Sequence, residues 1–315
     1  MKESIISENK YSRLITIVQA LLVTFLWSTS FILIKKGLVE IPPVTYAGLR
    51  YGLAFLIFFP MILQKKYLVE IKNLSTSKWF KLILLGIVFY SFTQGAQFLG
   101  LSLLPSVTVS LMLNFTPLIV AFLGVLLLNE KPSLLQWSGS GLFIIGILIY
   151  FIPVDLSGSR GIGLIIMFLG VITNSLATII GRDINRKKNI SPIIVTFISM
   201  GIGAFVLITI GLVKNGIPII SFRNWCFLIW LAAINTAFAF TLWNLTMRSL
   251  RAMESSIING TMLIQIAILA WIFLGEKITW QEGSGMVIAA LGAVMVQMRK
   301  KAGGRCRNGA KEDEK

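Results

Sequence analysis

Residues 114–131 read NFTPLIVAFLGVLLLNEK, and residues 259–277 read NGTMLIQIAILAWIFLGEK. Each stretch begins with an asparagine, has a threonine two positions later, and ends in a Glu-Lys pair after an apolar run. Each is also close to the roughly 20 residues that a helix needs to cross a bilayer. The two stretches therefore indicate membrane-spanning helices that belong to a duplicated unit.

The rest of the chain repeats this alternation of apolar blocks and short polar connectors. Of its 315 residues, 56% are hydrophobic and 13% are charged. The blocks lie at about 15–34, 44–63, 82–104, 106–128, 136–153, 162–181, 193–213, 225–247, 255–274 and 281–298. This pattern predicts an all-α membrane protein with ten transmembrane helices.

The last five blocks echo the first five, which indicates an internal duplication. Gly139 and Gly146, for example, recur with the same spacing as Gly285 and Gly292. Because each half has an odd number of spans, the second half enters the membrane from the opposite side. We expect two inverted five-helix repeats, flanked by two cytoplasmic tails, with boundaries at 1–14, 15–153, 161–298 and 299–315.

The charge distribution predicts the orientation of the chain. The net charge is +16. With the N-terminus inside, about three quarters of the 29 lysines and arginines fall in cytoplasmic segments and about one fifth in external ones. We therefore expect both termini in the cytoplasm and the protein in the inner or plasma membrane of the cell. The basic tail is expected to contact anionic lipid rather than nucleic acid.

The composition also argues against several kinds of chemistry. The chain contains no histidine, so imidazole metal ligands and histidine-based catalytic triads are excluded. Its two cysteines, Cys226 and Cys306, are predicted on opposite sides of the membrane and cannot form a disulfide. We expect no metal, no cofactor and no enzymatic activity.

Polar side chains within the predicted spans are the candidates for substrate binding, because lipid offers them no hydrogen bonds. They cluster in spans one, three and four and in the corresponding spans six, eight and nine. We predict substrate-binding roles for Trp27, Ser30, Gln94, Gln97, Asn114, Asn174, Trp243, Asn259 and Gln265. The alternative is that the amides and hydroxyls join helices, at roughly 0.6 kcal/mol each, and that the two indoles are core packing.

Four further residues are candidates for structural or gating roles. Pro117 lacks a backbone N–H and predicts a bend in span four. Arg50 could hold a substrate carboxylate or cap helix-end carbonyls, and its position near the external rim favours the structural role. Glu130 and Glu276 end helices on opposite faces of the membrane, so they cannot form a two-carboxylate site and are interpreted as local anchors.

A set of short motifs carries a resemblance to a known family. They are Trp27-Ser28-Thr29-Ser30-Phe31 with Lys35, Pro42-Pro43 with Arg50, Ser110 through Asn114 to Pro117, and the two Glu-Lys helix ends. On these residues the chain resembles the EamA-type transporters of the drug/metabolite transporter superfamily, over about residues 15–298. Two positions depart from symmetry: Arg50 has no basic counterpart in span seven, and Pro117 is matched by Met262 or Leu263.

The resemblance implies a secondary transporter that exports small neutral or zwitterionic metabolites, such as amino acids, by alternating access around a midplane site. The expected partners are a small-molecule substrate, membrane lipid and a possible homodimer. No Asp, Glu or His lies at mid-span, which favours facilitated transport or exchange over proton coupling. A channel-like pore and a membrane-embedded enzyme remain as alternatives, although the spans carry neither rings of charge nor a nucleophile with its base.

Overall fold

The computed structural model describes residues 2–128, 133–152, 157–186, 190–247, 250 and 252–297. Within these ranges the protein is helical and contains no β-strand. The α-helices are α1 (Lys2–Gly37), α2 (Pro43–Ile62), α3 (Lys65–Lys72), α4 (Thr76–Leu85), α5 (Gln94–Leu103), α6 (Ser106–Leu113), α7 (Thr116–Leu128), α8 (Leu134–Phe151), α9 (Gly158–Arg186), α10 (Pro192–Asn215), α11 (Phe222–Ala232), α12 (Ala239–Thr246), α13 (Ala252–Leu274) and α14 (Trp280–Gln297). Two π-helical segments, Gly86–Thr93 and Ala233–Phe238, join α4 to α5 and α11 to α12.

Nine segments of the described chain are long and apolar enough to cross a membrane. They are Leu14–Gly37, Pro43–Ile62, Thr76–Leu103, Ser106–Leu123, Leu134–Phe151, Gly158–Asn185, Pro192–Asn215, Phe222–Trp243 and Ile257–Leu274. The tenth predicted block corresponds to α14, an 18-residue helix whose first turn contains Gln281 and Glu282. Large apolar side chains such as Phe205, Leu56 and Trp271 are exposed on the outside of the bundle, as expected of a protein surrounded by lipid.

Local sequence explains where several helices begin and end. Pro43 and Pro192 occupy the first turns of α2 and α10, where a missing N–H costs nothing. Ser133 and Gln136 form a reciprocal capping box at the start of α8. After α10 the chain turns at Gly216, whose φ of 70° favours glycine.

The fourth predicted span is interrupted, as Pro117 predicts. α6 ends at Leu113, α7 begins at Thr116, and Asn114 lies in the turn between them. A proline ring clashes with the carbonyl four residues earlier, which here belongs to Leu113. The corresponding α13 has Met262 in this region and is continuous from end to end. One repeat therefore carries a broken helix where the other carries an intact one.

The two π-helical segments were not predicted, since the third and eighth blocks read as ordinary helices. In each segment a threonine hydroxyl donates to the carbonyl five residues earlier: Thr93 to Val88 at 3.0 Å and Thr236 to Leu231 at 2.8 Å. Irregular helix of this kind is frequent at functional sites. The two segments occupy corresponding positions in the two halves of the chain.

α8 and α14 pack against each other through glycines. A Cβ on Gly146 would lie 2.3 Å from the backbone nitrogen of Ala289, and one on Gly285 would lie 2.6 Å from the carbonyl oxygen of Gly146. Near the other end, a Cβ on Gly292 would lie 2.7 Å from the carbonyl oxygen of Gly139. The start of α8 therefore contacts the end of α14, so the two helices are antiparallel.

α2 and α10 are packed in the same manner. A Cβ on Gly48 would lie 2.7 Å from the backbone nitrogen of Ile208, and one on Gly211 would lie 2.8 Å from the Cα of Thr45. Since residue numbers fall along one helix as they rise along the other, these two helices are also antiparallel. In both pairs the partners are corresponding helices of the two sequence repeats.

Candidate functional site

An aromatic cluster joins α1 to α12. The ring of Trp27 lies 5.3 Å from the ring of Phe240 and 5.3 Å from that of Trp243, measured between centroids. The indole nitrogen of Trp27 is buried and finds no hydrogen-bond acceptor among the described residues. Because an indole N–H usually finds an acceptor when it is buried, this donor is available to a ligand.

Gln265 joins α13 to α1 through two hydrogen bonds and forms a third within α13. Its carbonyl oxygen accepts from Ser28 at 3.0 Å, and its amide donates to Thr24 at 3.3 Å and to Thr261 at 3.0 Å. Both the carbonyl oxygen and the amide nitrogen of this carboxamide are thus already hydrogen-bonded within the protein. Its contacts agree better with a role in joining the helices than with the predicted role in substrate binding.

Asn235, in the second π-helical segment, connects that segment to α1. It is fully buried, and its amide nitrogen lies within hydrogen-bonding distance of three acceptors that share its two N–H groups: the carbonyl of Leu26, the hydroxyl of Thr29 at 3.1 Å and the hydroxyl of Ser30 at 2.7 Å. Its carbonyl oxygen has no donor within the part of the chain that the structure describes. The predicted site residue Ser30 therefore lies beside an acceptor that protein groups leave unsatisfied.

A second polar cluster lies between α2, α5 and the two π-helical segments. Arg50 is 5% exposed, and its Nε donates to the hydroxyl of Thr236 at 3.1 Å. Its guanidinium carbon lies 5.3 Å from the ring centroid of Tyr51, whose hydroxyl donates to Gln94 at 2.7 Å. The ring of Tyr90 packs edge-on against Tyr51 at 5.2 Å. The alternative that Arg50 caps helix-end carbonyls does not match these contacts.

Gln97 lies three residues after Gln94 on the same face of α5. It is half-buried, and its carboxamide forms no hydrogen bond with any described residue. Within the described ranges its donors and acceptor are therefore without a partner, one helical turn from a glutamine that is already bound to Tyr51.

Three predicted asparagines occupy different environments. Asn174 donates to Thr116 at 3.0 Å and so joins α9 to α7, directly after the helix break. Asn114, in the turn after α6, donates to the carbonyl of Ser110 in the last turn of that helix at 2.9 Å. Asn259 is exposed on α13 and forms no hydrogen bond within the described ranges. The structure thus does not bring Asn259 into either polar cluster.

Glu276 connects the ends of several helices rather than acting as a local anchor beside Lys277. Its carboxylate accepts from Lys35 at 3.2 Å, from the backbone of Ser106 at 2.8 Å and from that of Val107 at 3.4 Å. Lys35 also donates to the carbonyl of Leu104 at 2.6 Å. The carboxylate therefore occupies the N-terminus of α6, where negative charge is favoured.

The other glutamate of the predicted pair, Glu130, lies outside the described residues. Sequence reasoning did not identify Tyr51 and Thr236, which hold Arg50, or Lys35 as the partner of Glu276. Of these residues, only Tyr51 could have been suspected from the sequence, because it directly follows Arg50.

A groove of about 520 Å³ between α13 and α14 is lined by apolar residues and Lys277, and none of the predicted substrate-binding residues lines it.

The comparisons with known proteins bear on both halves of the chain. Residues 14–152 and 161–298 each match the EamA-like transporter family. The uncharacterized transporter YoaV of Bacillus subtilis (strain 168) is 22% identical over 282 residues, which cover 87% of this chain and 93% of YoaV. An S-adenosylmethionine/S-adenosylhomocysteine transporter of Chlamydia trachomatis serovar L2 is 24% identical over 272 residues, which cover 80% of each chain.

A protein of known crystal structure shares the fold. Its TM-score is 0.64 at 13% identity, and the similarity covers 89% of this chain and 96% of the other. The relatives are named as transporters rather than enzymes. Because the family match extends over both repeats, this multi-pass membrane protein is a transporter and belongs to the EamA-like transporter family.

Proposed function

We propose that the chain is a secondary transporter that exports small neutral or zwitterionic metabolites, such as amino acids, by alternating access. The observation that carries this proposal is that two buried polar atoms beside α1 have no partner among the described residues: the indole nitrogen of Trp27 and the carbonyl oxygen of Asn235. The carboxamide of the half-buried Gln97 has no described partner either. Lipid cannot satisfy such groups, whereas a polar substrate can.

The repeat architecture proposed from the sequence is supported by the packing. α2 with α10 and α8 with α14 are pairs of corresponding helices, and each pair is antiparallel. An antiparallel arrangement of equivalent helices is what inverted repeats require. We propose ten spans, with α14 as the tenth, in two repeats whose boundaries are those predicted above.

The contacts of Glu276 suggest how one end of the bundle closes. This carboxylate and Lys35 connect the ends of α1 and α13 with the start of α6. With both termini in the cytoplasm, these helix ends lie on the external side of the membrane. The proposal is that the structure represents a conformation closed to the outside, in a carrier located in the cell membrane.

The Chlamydia relatives suggest a second candidate for the substrate. S-adenosylmethionine and S-adenosylhomocysteine each combine an amino-acid group with an adenine ring. The cluster of Trp27, Phe240 and Trp243 offers aromatic surface on which such a ring can stack. The same polar and aromatic groups would serve a free aromatic or aliphatic amino acid.

Counterflow in proteoliposomes tests the proposed function. Purified protein is reconstituted with one unlabelled amino acid, S-adenosylmethionine or S-adenosylhomocysteine inside, and the labelled compound is added outside at equal pH. A carrier should show saturation and stimulation by substrate on the opposite side. In a separate flux assay with an imposed pH gradient, collapse of that gradient with an ionophore should not abolish net downhill flux. Flux without saturation or trans-stimulation would instead indicate a channel.

A pair of glutamine variants tests the site. Gln97→Ala removes a carboxamide that has no hydrogen bond to any described residue, so it should lower counterflow at least several-fold while leaving the thermal stability of the purified protein unchanged. Gln265→Ala removes two interhelical hydrogen bonds and one within α13. At roughly 0.6 kcal/mol each, their loss should lower the free energy of unfolding by about 1–2 kcal/mol. Loss of stability in Gln97→Ala, with counterflow falling in parallel, would contradict this assignment.

A further inference from the structure

Arg50 is a buried cation without a carboxylate partner. It is 5% exposed and lies about 10 Å along α2 from Pro43, at 1.5 Å per residue. No carboxylate forms an ion pair with it in the part of the chain that the structure describes. Acidic side chains with described partners are engaged near helix ends: Glu70 with Ser191, Asp183 with Lys81, Glu40 with Arg223 and Glu276 with Lys35.

The neighbours of Arg50 hold it in place without neutralising it. Thr236 accepts from its Nε at 3.1 Å, and the hydroxyl of Thr236 donates its own proton to the carbonyl of Leu231 at 2.8 Å. The face of Tyr51 lies 5.3 Å from the guanidinium carbon. A guanidinium has five N–H donors, so the four on its terminal nitrogens are left over.

A second polar side chain of this cluster also offers donors. Gln94 uses its carbonyl oxygen to accept from the hydroxyl of Tyr51 at 2.7 Å, which leaves its amide N–H groups free. Within the described chain, the guanidinium of Arg50 and the amide of Gln94 therefore both present N–H donors without a partner. A set of donors that includes a guanidinium matches the geometry and charge of a carboxylate.

We propose that Arg50 holds the carboxylate of the transported molecule, so that the substrates of this carrier are carboxylate-bearing metabolites. This inference rests on the proposed transport function and narrows its substrate class, since neutral metabolites without a carboxylate are excluded. It also reassigns Arg50 from the structural role that its position in the sequence favoured. Because span seven has no basic residue at the corresponding position, the carrier has this anion site in one repeat.

The competing role for Arg50 is structural: it would only link α2 to the second π-helical segment. The two roles differ in what they predict for ligands. An anion-binding arginine distinguishes an acid from its neutral amide, whereas an arginine with a purely structural role affects only the stability of the protein. Arg50→Gln removes the positive charge and the planar set of guanidinium N–H donors. Arg50→Lys keeps the charge but cannot bind a carboxylate through two parallel hydrogen bonds.

The experiment measures ligand binding to the purified full-length protein by thermal-shift titration. The probes are the twenty standard amino acids, S-adenosylmethionine and acetate, each paired with its carboxamide. In the wild type, at least one acid should bind tenfold or more tightly than its amide. Arg50→Gln should abolish that preference by weakening acid binding while amide affinity stays within threefold, and Arg50→Lys should give an intermediate ratio. The matched control, Arg223→Gln, changes an exposed arginine bound to Glu40 and should keep the wild-type ratio.

Three results would overturn the proposal: no acid preferred over its amide, a preference that survives Arg50→Gln, or equal loss of acid and amide binding. If Arg50→Gln does not yield folded protein, the ratio of acid to amide affinity is measured in Arg50→Lys instead. A ratio in Arg50→Lys as high as in the wild type would then overturn the proposal.

Failure of the transport proposal can be distinguished from failure of the anion site. Acid binding that depends on Arg50 without any counterflow would reject transport but keep the anion site. Equal counterflow of an acid and its amide would keep transport but reject the anion site.

Discussion

Glu276 connects three parts of the bundle, because its carboxylate follows α13 and accepts from a lysine of α1 and from two backbone N–H groups at the start of α6. Its side chain is 13% exposed and that of Lys35 is 28% exposed, so the pair is only partly screened by solvent. Hydrogen bonds to charged groups in such settings contribute about 1.5–3 kcal/mol each, with the lower values for exposed pairs.

Glu276→Gln should therefore loosen this end of the bundle. The amide keeps one acceptor oxygen but loses the ion pair with Lys35 and the favourable charge at the N-terminus of α6. We expect a cysteine at Ser110, which is buried one turn further along α6, to react at least several-fold faster with a membrane-impermeant reagent added outside. The reaction rate is measured in a background that lacks Cys226 and Cys306.

A second glutamate provides the control for this prediction. Glu282 also accepts from a backbone N–H at a helix start, that of Thr279 at 2.8 Å, but this bond is solvent-exposed and, among the described residues, Glu282 accepts only from Thr279 within that turn. Glu282→Gln should leave the labelling rate unchanged. An equal rate in Glu276→Gln and the wild type would show that the carboxylate does not hold this end closed.

At the scale of elements, the antiparallel pair of α8 and α14 depends on residues without side chains. Gly146→Ala would place a methyl group 2.3 Å from backbone nitrogen, a contact that only separation of the helices can relieve. Overpacking of this kind costs about 1–3 kcal/mol. We expect Gly146→Ala to lower the midpoint of thermal unfolding by several degrees and to reduce the yield of folded protein.

Gly141 on the same helix is the matched control, because a Cβ there meets nothing within 4 Å. Gly141→Ala should be neutral or slightly stabilising, as alanine has the higher helix propensity. Both variants are compared by thermal unfolding in the same detergent. Similar midpoints for the two would mean that α8 and α14 are not packed as closely as the structure shows.

For the whole molecule, the prediction concerns orientation in the membrane. Ser159 lies at the start of α9 and Asn185 near its end, and both are exposed. The asymmetry of basic residues predicts Ser159 outside and Asn185 in the cytoplasm. In a background without Cys226 and Cys306, Ser159→Cys should react with an impermeant reagent added to intact cells, and Asn185→Cys should react only after the membrane is permeabilised. The opposite pattern would reverse the proposed faces.

The sequence by itself was sufficient for the class of the protein and for the existence of its repeat. Apolar blocks of helical length are a direct consequence of the bilayer's thickness, so they can be counted without knowing how the helices pack. The interruption at Asn114 was also predictable, because Pro117 acts through its own backbone. The glycines shared by the fifth and tenth blocks likewise indicated the duplication before their packing partners were known.

The site was decided by tertiary structure, because a polar side chain in a span can face a neighbouring helix, the bundle interior or lipid. Gln265 and Gln97 look alike in the sequence, yet one makes three hydrogen bonds and the other makes none with described residues. The link between Lys35 and Glu276 joins residues at opposite ends of the chain, and local pattern contains no information about such a pairing. Likewise, only the packing of α2 against the second π-helical segment showed that Arg50 is buried beside Thr236 and not directed toward the rim.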